Sequence, residues 1–278
     1  MHSRADLIVV FGYQPSQRYP RFYERAIDQA RDIGVVFVGC DPDPACQRAS
    51  ESILRDDDLF DTLTRWSALV EANRKPESLC GAQAKALAAL TQRIHEAQYT
   101  AFVYEPASLP APHAALAIEA LHRIVKAINR TVRAGALALS GDDGALSVNQ
   151  AVTWLSGLPL RTRVAYGMPL DHAPYRYRTH TLVANREIDT LLWISSFAPE
   201  PASLDENIPV IVLGHAQTTL APRKGPTVFI PVATPVIDDG GHLFRIDSSV
   251  VACLAAACAS TLPSVASVVT QLIARRPA

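Results

Sequence analysis

Two apolar runs without alternation, DLIVVFG at Asp6–Gly12 and VVFVG at Val35–Gly39, flank the amphipathic stretch RFYERAIDQARDIG at Arg21–Gly34. Short uninterrupted apolar runs predict strands covered on both faces, and the intervening helical spacing, closed by Gly34, completes a βαβ unit. Helical periodicity recurs at Leu59–Arg74, Ala82–Ala97 and His113–Arg130, with strands predicted at Tyr99–Pro106 and Ala134–Ser140. An irregular stretch runs to about Arg178, followed by a helix at Thr179–Ile188, strands at Thr190–Ser196, Ile208–Gly214 and Thr227–Val232, and a terminal helix near Ser264–Arg275. Strand and helix alternate almost throughout, which predicts an α/β fold built on parallel sheet. The break at Lys75 and Pro76 predicts a boundary between a first α/β lobe at 1–76 and a second at 77–278.

Composition changes this picture little. With 278 residues, 49% hydrophobic and 19% charged, the chain can bury one large core or two modest ones and belongs to the ordinary globular class. Lys and Arg total 26 against 27 Asp and Glu, a net charge of −1, so no field steers the chain toward nucleic acid or an anionic membrane. The apolar stretch Ser248–Ser260 is too short and too Ala-rich to span a bilayer, the N-terminus has no signal-peptide layout, and a cytoplasmic protein is expected. The five cysteines form no Cys-x-x-Cys and read as reduced thiols without a metal or redox role.

The segment FGYQPSQRYPR at Phe11–Arg21 lies on the carboxyl edge of the first strand, where open α/β sheets hold ligands. It lacks both Gly-x-Gly-x-x-Gly and Gly-x-x-x-x-Gly-Lys, so it carries no backbone cradle for phosphates, and Gly12 reads as a sharp structural turn. His215, Asp238, Asp239 and His242 have the chemistry of divalent-cation ligands, but Asp-Asp-Gly-Gly is ordinary turn composition and no metal site is expected. Asp142 and Asp143 adjoin glycines, and a solvated turn or a cap for a helix starting near Ser147 is preferred over acid-base work. His172, Tyr175, Arg176, Tyr177 and Arg178 mix aromatics with arginines, which fits anion recognition or an interface core. A partner interface is the preferred reading, and a plain surface loop the alternative. No Gly-x-Ser-x-Gly elbow, His-Glu-x-x-His or Cys-plus-His constellation occurs, and no catalytic residue is assigned.

ADLIVVFGYQPSQRYPR resembles the molybdopterin-oxidoreductase segment with an apolar strand followed by Gly-x-x-Pro-x-x-x-x-Pro-Arg, with Gly12, Pro15, Pro20 and Arg21 in register. VVFVGCDP, ending at Asp41 and Pro42, is similar to the second strand of that unit. GDDGALSVNQAVTWLSGLPL resembles the B-subunit family of formylmethanofuran dehydrogenase through Asn149, Gln150, Trp154, Gly157 and Pro159, and VAYGMPLDHAPY continues the likeness through Gly167, Pro169 and Tyr175. The C-terminal pattern matches at Pro231, Gly241, Arg245 and Asp247, whereas the family usually has Gly where Val236 stands.

The resemblance implies two Rossmann-like parallel-sheet lobes, as in the central domains of molybdopterin oxidoreductases. Carbon dioxide-reducing members of the family also carry an iron–sulfur segment and a Cys or selenocysteine on molybdenum or tungsten, with a bis-molybdopterin guanine dinucleotide; this sequence has no counterpart to that segment. The family's Arg-Gly-His is here Ser140, Gly141 and Asp142, which puts a carboxylate where a pyrophosphate would lie. The positions Gly12, Pro15, Arg21, Asp41, Ser140, Asp142 and Asn149 are therefore expected to be vestigial, with no cofactor or metal on this chain.

That combination resembles the B subunits of bacterial formyltransferase/hydrolase complexes. In these complexes a formyl group passes from formyl-tetrahydromethanopterin to a methanofuran-type carrier and is released as formate in one-carbon oxidation. The implied role is that of a non-catalytic, structural member of the complex. The implied partners are an amidohydrolase-like A subunit, a β-helical C subunit and a formyltransferase D subunit. The alternatives are a molybdopterin-binding protein completed by a separate N-terminal chain, and a small-molecule binding module.

Overall fold

The structure is a computed structural model that describes residues 4–27, 32–72, 81–110, 112–139, 144–199, 207–245 and 249–275. The chain divides into two compact units, Met1–Ser140 and Gly141–Ala278.

The first unit is built on β1 (Leu7–Phe11), β2 (Gly34–Val38), β3 (Ser50–Ile53), β4 (Tyr99–Tyr104) and β5 (Arg133–Ala138), a five-stranded sheet in the order β3-β2-β1-β4-β5. Every pairing is parallel. β1 is central and buried along its whole length, which is why its sequence shows no alternation. The helix α1 occupies Phe22–Ala26 and stops where the β-branched Ile27 turns to extended backbone (φ −111°, ψ 118°) and buries its side chain. It is shorter than the predicted Arg21–Gly34, of which residues 28–31 lie outside the described residues.

One face of the sheet packs against α2 (Leu59–Glu71), α3 (Ala82–Glu96) and α4 (Ala114–Ile128). Asp58 caps α2 by accepting a hydrogen bond from the Asp61 N–H at 2.8 Å. Leu7, Val9 and Phe11 meet Leu63, Trp66, Leu87, Leu90, Ile94, Leu121 and Ile124 in one core. Trp66 is fully buried with its ring centroid 6.0 Å from those of Phe11 and Phe102, and its indole N–H donates to Thr91 Oγ1 at 2.8 Å. The boundary expected at residue 76 is therefore misplaced. Helix α3 shares the core of α2, and β4 pairs with β1, so the chain on both sides of Pro76 belongs to one sheet and one core.

The second unit holds a three-stranded parallel sheet, β10-β9-β8, from β8 (Leu191–Ser195), β9 (Val210–Gly214) and β10 (Thr227–Pro231). Two antiparallel ladders accompany it, β6 (Thr162–Arg163) with β7 (Asp171–His172) and β11 (Gly241–Phe244) with β12 (Val251–Leu254). Its core is small: Leu213 and Val232 meet Val268 of α7 (Val265–Ala274), with Ile211 and Ile230 beside them. Helix α5 (Ala145–Ser156) is the helix expected to start near Ser147, in a stretch otherwise read as irregular, and Gly157 ends it in the left-handed conformation (φ 78°). It packs on β11 through Trp154 and Phe244, whose ring centroids are 4.8 Å apart, and the Phe244 N–H donates to Ser147 Oγ at 2.9 Å. A short helix, α6 (Thr179–Ala184), precedes β8.

Candidate functional site

Strand order in the first sheet reverses between β1 and β4, so their carboxyl ends flank the crevice where such sheets take ligands. From β1 the chain turns at Gly12 (φ 68°), whose amide donates to Val38 O at 2.9 Å. A Cβ at Gly12 would lie 2.6 Å from Leu59 Cδ2, so both the backbone angle and the packing demand glycine. Pro15 is buried and opens a 3₁₀ turn, Pro15–Gln17. Gln14 Nε2 donates to Pro42 O at 3.1 Å.

The loop closes on Asp43, which is 2% exposed. Its carboxylate accepts from the Ser16 amide (2.8 Å), the Ser16 hydroxyl (2.5 Å), the Tyr23 hydroxyl (3.0 Å) and the Ala45 amide (3.0 Å). Burial works against ionisation of Asp43, but these hydrogen bonds outweigh it and hold the carboxyl below its ordinary value. Tyr13 and Tyr23 are both pushed up, by burial first and by neighbouring carboxylates second. Burial raises the Cys40 thiol to about 11. On the β4 side, buried Glu105 pairs with Arg18 Nη1 at 2.7 Å. The loop is thus surrounded by carboxylates and phenols: Gly12, Gln14, Ser16 and Arg18 donate to the chain's own oxygens, whereas the buried Tyr13 hydroxyl has no hydrogen-bond partner among the described residues.

The other positions matched by the sequence resemblance scatter. Arg21 is exposed and pairs with Glu24, its Nε donating at 2.8 Å. Asp41 is exposed and pairs with Arg55 at 3.0 Å. Asn149 lies in the second unit, where its Oδ1 accepts from the Leu160 N–H at 3.0 Å and ties α5 to the following loop. Ser140, Asp142 and Asp143 lie outside the described residues. Among the described residues no group of three His, Cys, Asp or Glu side chains gathers as metal ligands. His215, Asp238, Asp239 and His242 accordingly form no such set: Asp238 Oδ2 accepts from the Thr234 N–H at 2.9 Å and Asp239 Oδ1 from the Gly240 N–H at 2.8 Å, as turn residues do.

The aromatic-basic segment is more coherent. Tyr177 is buried, and its hydroxyl donates to Asp171 Oδ2 at 2.5 Å, a hydrogen bond that raises its pKa above the ordinary tyrosine value. The Arg178 guanidinium stacks 4.6 Å from the Tyr175 ring centroid, and Arg176 lies over Tyr177 at 5.5 Å and within 3.7 Å of Glu187. His172 Nδ1 lies 3.2 Å from Thr162 Oγ1 across the β6–β7 ladder.

No protein-family model matches the chain, and no curated protein is similar to it. Among solved structures, it shares the fold of a chain in the crystal structure of the formyltransferase/hydrolase complex (FhcABCD) from Methylorubrum extorquens, determined with methylofuran. The TM-score is 0.76 at 24% identity, over 98% of this chain and 74% of that one. At that identity the likeness is one of fold.

Two features escaped the sequence reading. Asp43 is the hub of the loop, flagged only by its place in the turn-rich CDPDPAC. The outward apolar surface of the second unit is the other: Trp154 (68% exposed), Leu155 (88%), Val164, Tyr166 (107%) and Met168 all lie open, as do Leu192 and Ile194 of β8. A helix starting near Ser147 was expected, but not that none of the residues of α5 is buried.

Proposed function

We propose that the chain is a non-catalytic, B-type subunit of a formyltransferase/hydrolase complex that converts formyl-tetrahydromethanopterin to formate through a methanofuran-type carrier. The observation that carries this reading is the fold likeness to a chain of the FhcABCD complex along 98% of the sequence. The many open apolar side chains on the second unit support it, because large exposed apolar side chains are what a protein–protein contact covers. In this proposal that surface and the exposed Tyr175 and Arg176 dock the amidohydrolase-like, β-helical and formyltransferase partners, to which formyl transfer and hydrolysis belong.

The described residues do not fit a molybdopterin guanine dinucleotide. A pyrophosphate needs free amides or cations at the sheet edge. Here the Ser16 amide and hydroxyl are held by Asp43, Arg18 is paired with Glu105, and Leu59 packs against Gly12. No redox step is therefore assigned to this chain.

The test is native mass spectrometry of the chain tagged and gently isolated from its own host. Co-isolation with an amidohydrolase-like, a formyltransferase and a β-helical polypeptide, with no residual mass for a metal–pterin, is the expected result. Emergence alone would sink the proposal. Emergence with an iron–sulfur polypeptide and a metal–pterin mass would replace it with the redox reading.

A further inference from the structure

In the second unit Arg161, Tyr177, Arg178, Thr179 and His180 line a cavity of about 320 Å³ between the β6–β7 ladder and α6. Its lining brings together two guanidiniums, an imidazole, the Thr179 hydroxyl and the Tyr177 phenol, and no carboxylate. The nearby acids are engaged elsewhere, Asp171 with the Tyr177 hydroxyl and Glu187 facing Arg176.

Two further observations mark the cavity as a built site. Arg178 Nε is buried and has no hydrogen-bond partner among the described residues, although the guanidinium stacks on the Tyr175 ring. A buried guanidinium N–H left without an acceptor is costly, and the acceptor that fits it is a planar or tetrahedral oxyanion. Arg161, which also lines the cavity, sits in left-handed backbone (φ 66°), a conformation that costs a non-glycine residue energy. One of its terminal nitrogens donates to Pro174 O at 3.0 Å, which fixes the side chain. Arg161 thus brings to the lining a cation that no carboxylate among the described residues neutralises.

We propose that this cavity binds a small oxyanion, the carboxylate or phosphate group of a small molecule, between Arg161 and Arg178, with His180 and Thr179 as further donors. This site is separate from the β1–β4 crevice and does not depend on the role in a complex proposed above.

The experiment is isothermal titration of the full chain with inorganic phosphate and, in a separate arm, with glutarate, each against chloride at matched ionic strength. Saturable one-to-one binding of at least one anion is expected, weakened roughly tenfold or more by Arg178→Gln, since a charge-assisted hydrogen bond is lost. Tighter binding of phosphate identifies a phosphate-bearing ligand, and tighter binding of glutarate a carboxylate-bearing one. Because Arg178 is half-buried, the exposed His180→Gln provides a second variant that leaves the fold intact and is expected to weaken binding severalfold. Absence of saturable heat with both anions, or unchanged affinity in both variants, overturns the proposal.

Discussion

At Gly12 and at Val236 the chain makes the same backbone demand and answers it differently. Gly12 takes φ 68° with Leu59 packed against its Cα, and Gly12→Ala is expected to cost about 2 kcal/mol through strain and overlap, read as a lower urea midpoint. Val236 takes φ 72°, an angle for which a β-branched residue is poorly suited and glycine well suited. Val236→Gly relieves that strain at some cost in unfolded-chain entropy, and a net gain of about 1 kcal/mol, or roughly 2–4 °C in Tm, is expected. A fall in Tm would mean that the Val236 contact with Gly241 outweighs the strain. Asp43 is the third decisive residue. Asp43→Ala strands the Ser16, Ala45 and Tyr23 donors and should destabilise the chain by about 3 kcal/mol. Because the folded carboxyl titrates below its unfolded value of about 3.9, its contribution is fully present above that pH and is lost as pH falls through the folded value. Asp43→Asn should flatten the acid limb of the stability profile, and an unchanged limb would remove Asp43 from that role. None of this was legible beforehand beyond the turn at Gly12, because Ser16 and Tyr23 reach Asp43 across 27 and 20 residues.

The central strands of the first sheet were legible through their burial. The runs at Asp6–Gly12, Val35–Gly39 and Tyr99–Pro106 became β1, β2 and β4 because strands covered on both faces admit little but apolar residues. The edge strand β3, reading SESI and half-exposed, carried no such run. The ladder of β11 and β12 was missed for the same reason, since its side chains are half or fully exposed. Helix α5 has no buried residue, although Trp154 packs on Phe244. Leu155→Ser, at a site 88% exposed, should therefore change the stability of the isolated chain by less than about 0.5 kcal/mol while reducing co-isolation with partners. A destabilised isolated chain would instead assign Leu155 to its own fold. By contrast Trp66, fully buried between the sheet and α3, should cost about 3–5 kcal/mol when replaced by Ala, measured by the same denaturation.

Across the whole molecule, apolar surface is divided unevenly. The first unit encloses an extended core, whereas the second encloses a small one and leaves many large apolar side chains in the open. Expressed alone, the chain should bind the dye ANS and self-associate in light scattering, and co-expressed partners should suppress both; a dye-silent monomer would argue against a docking role for that surface. By itself the sequence determined the parallel-sheet α/β class and the central strands, because burial on both faces leaves a local signature, and its balanced charge argued against nucleic acid as a partner. Only the tertiary structure decided that the units divide at Ser140 and Gly141, that Asp43 closes the β1 loop, and that Arg161 and Arg178 line one cavity. Each of these depends on residues distant in sequence being brought together, and local periodicity carries no record of which distant partner a residue meets.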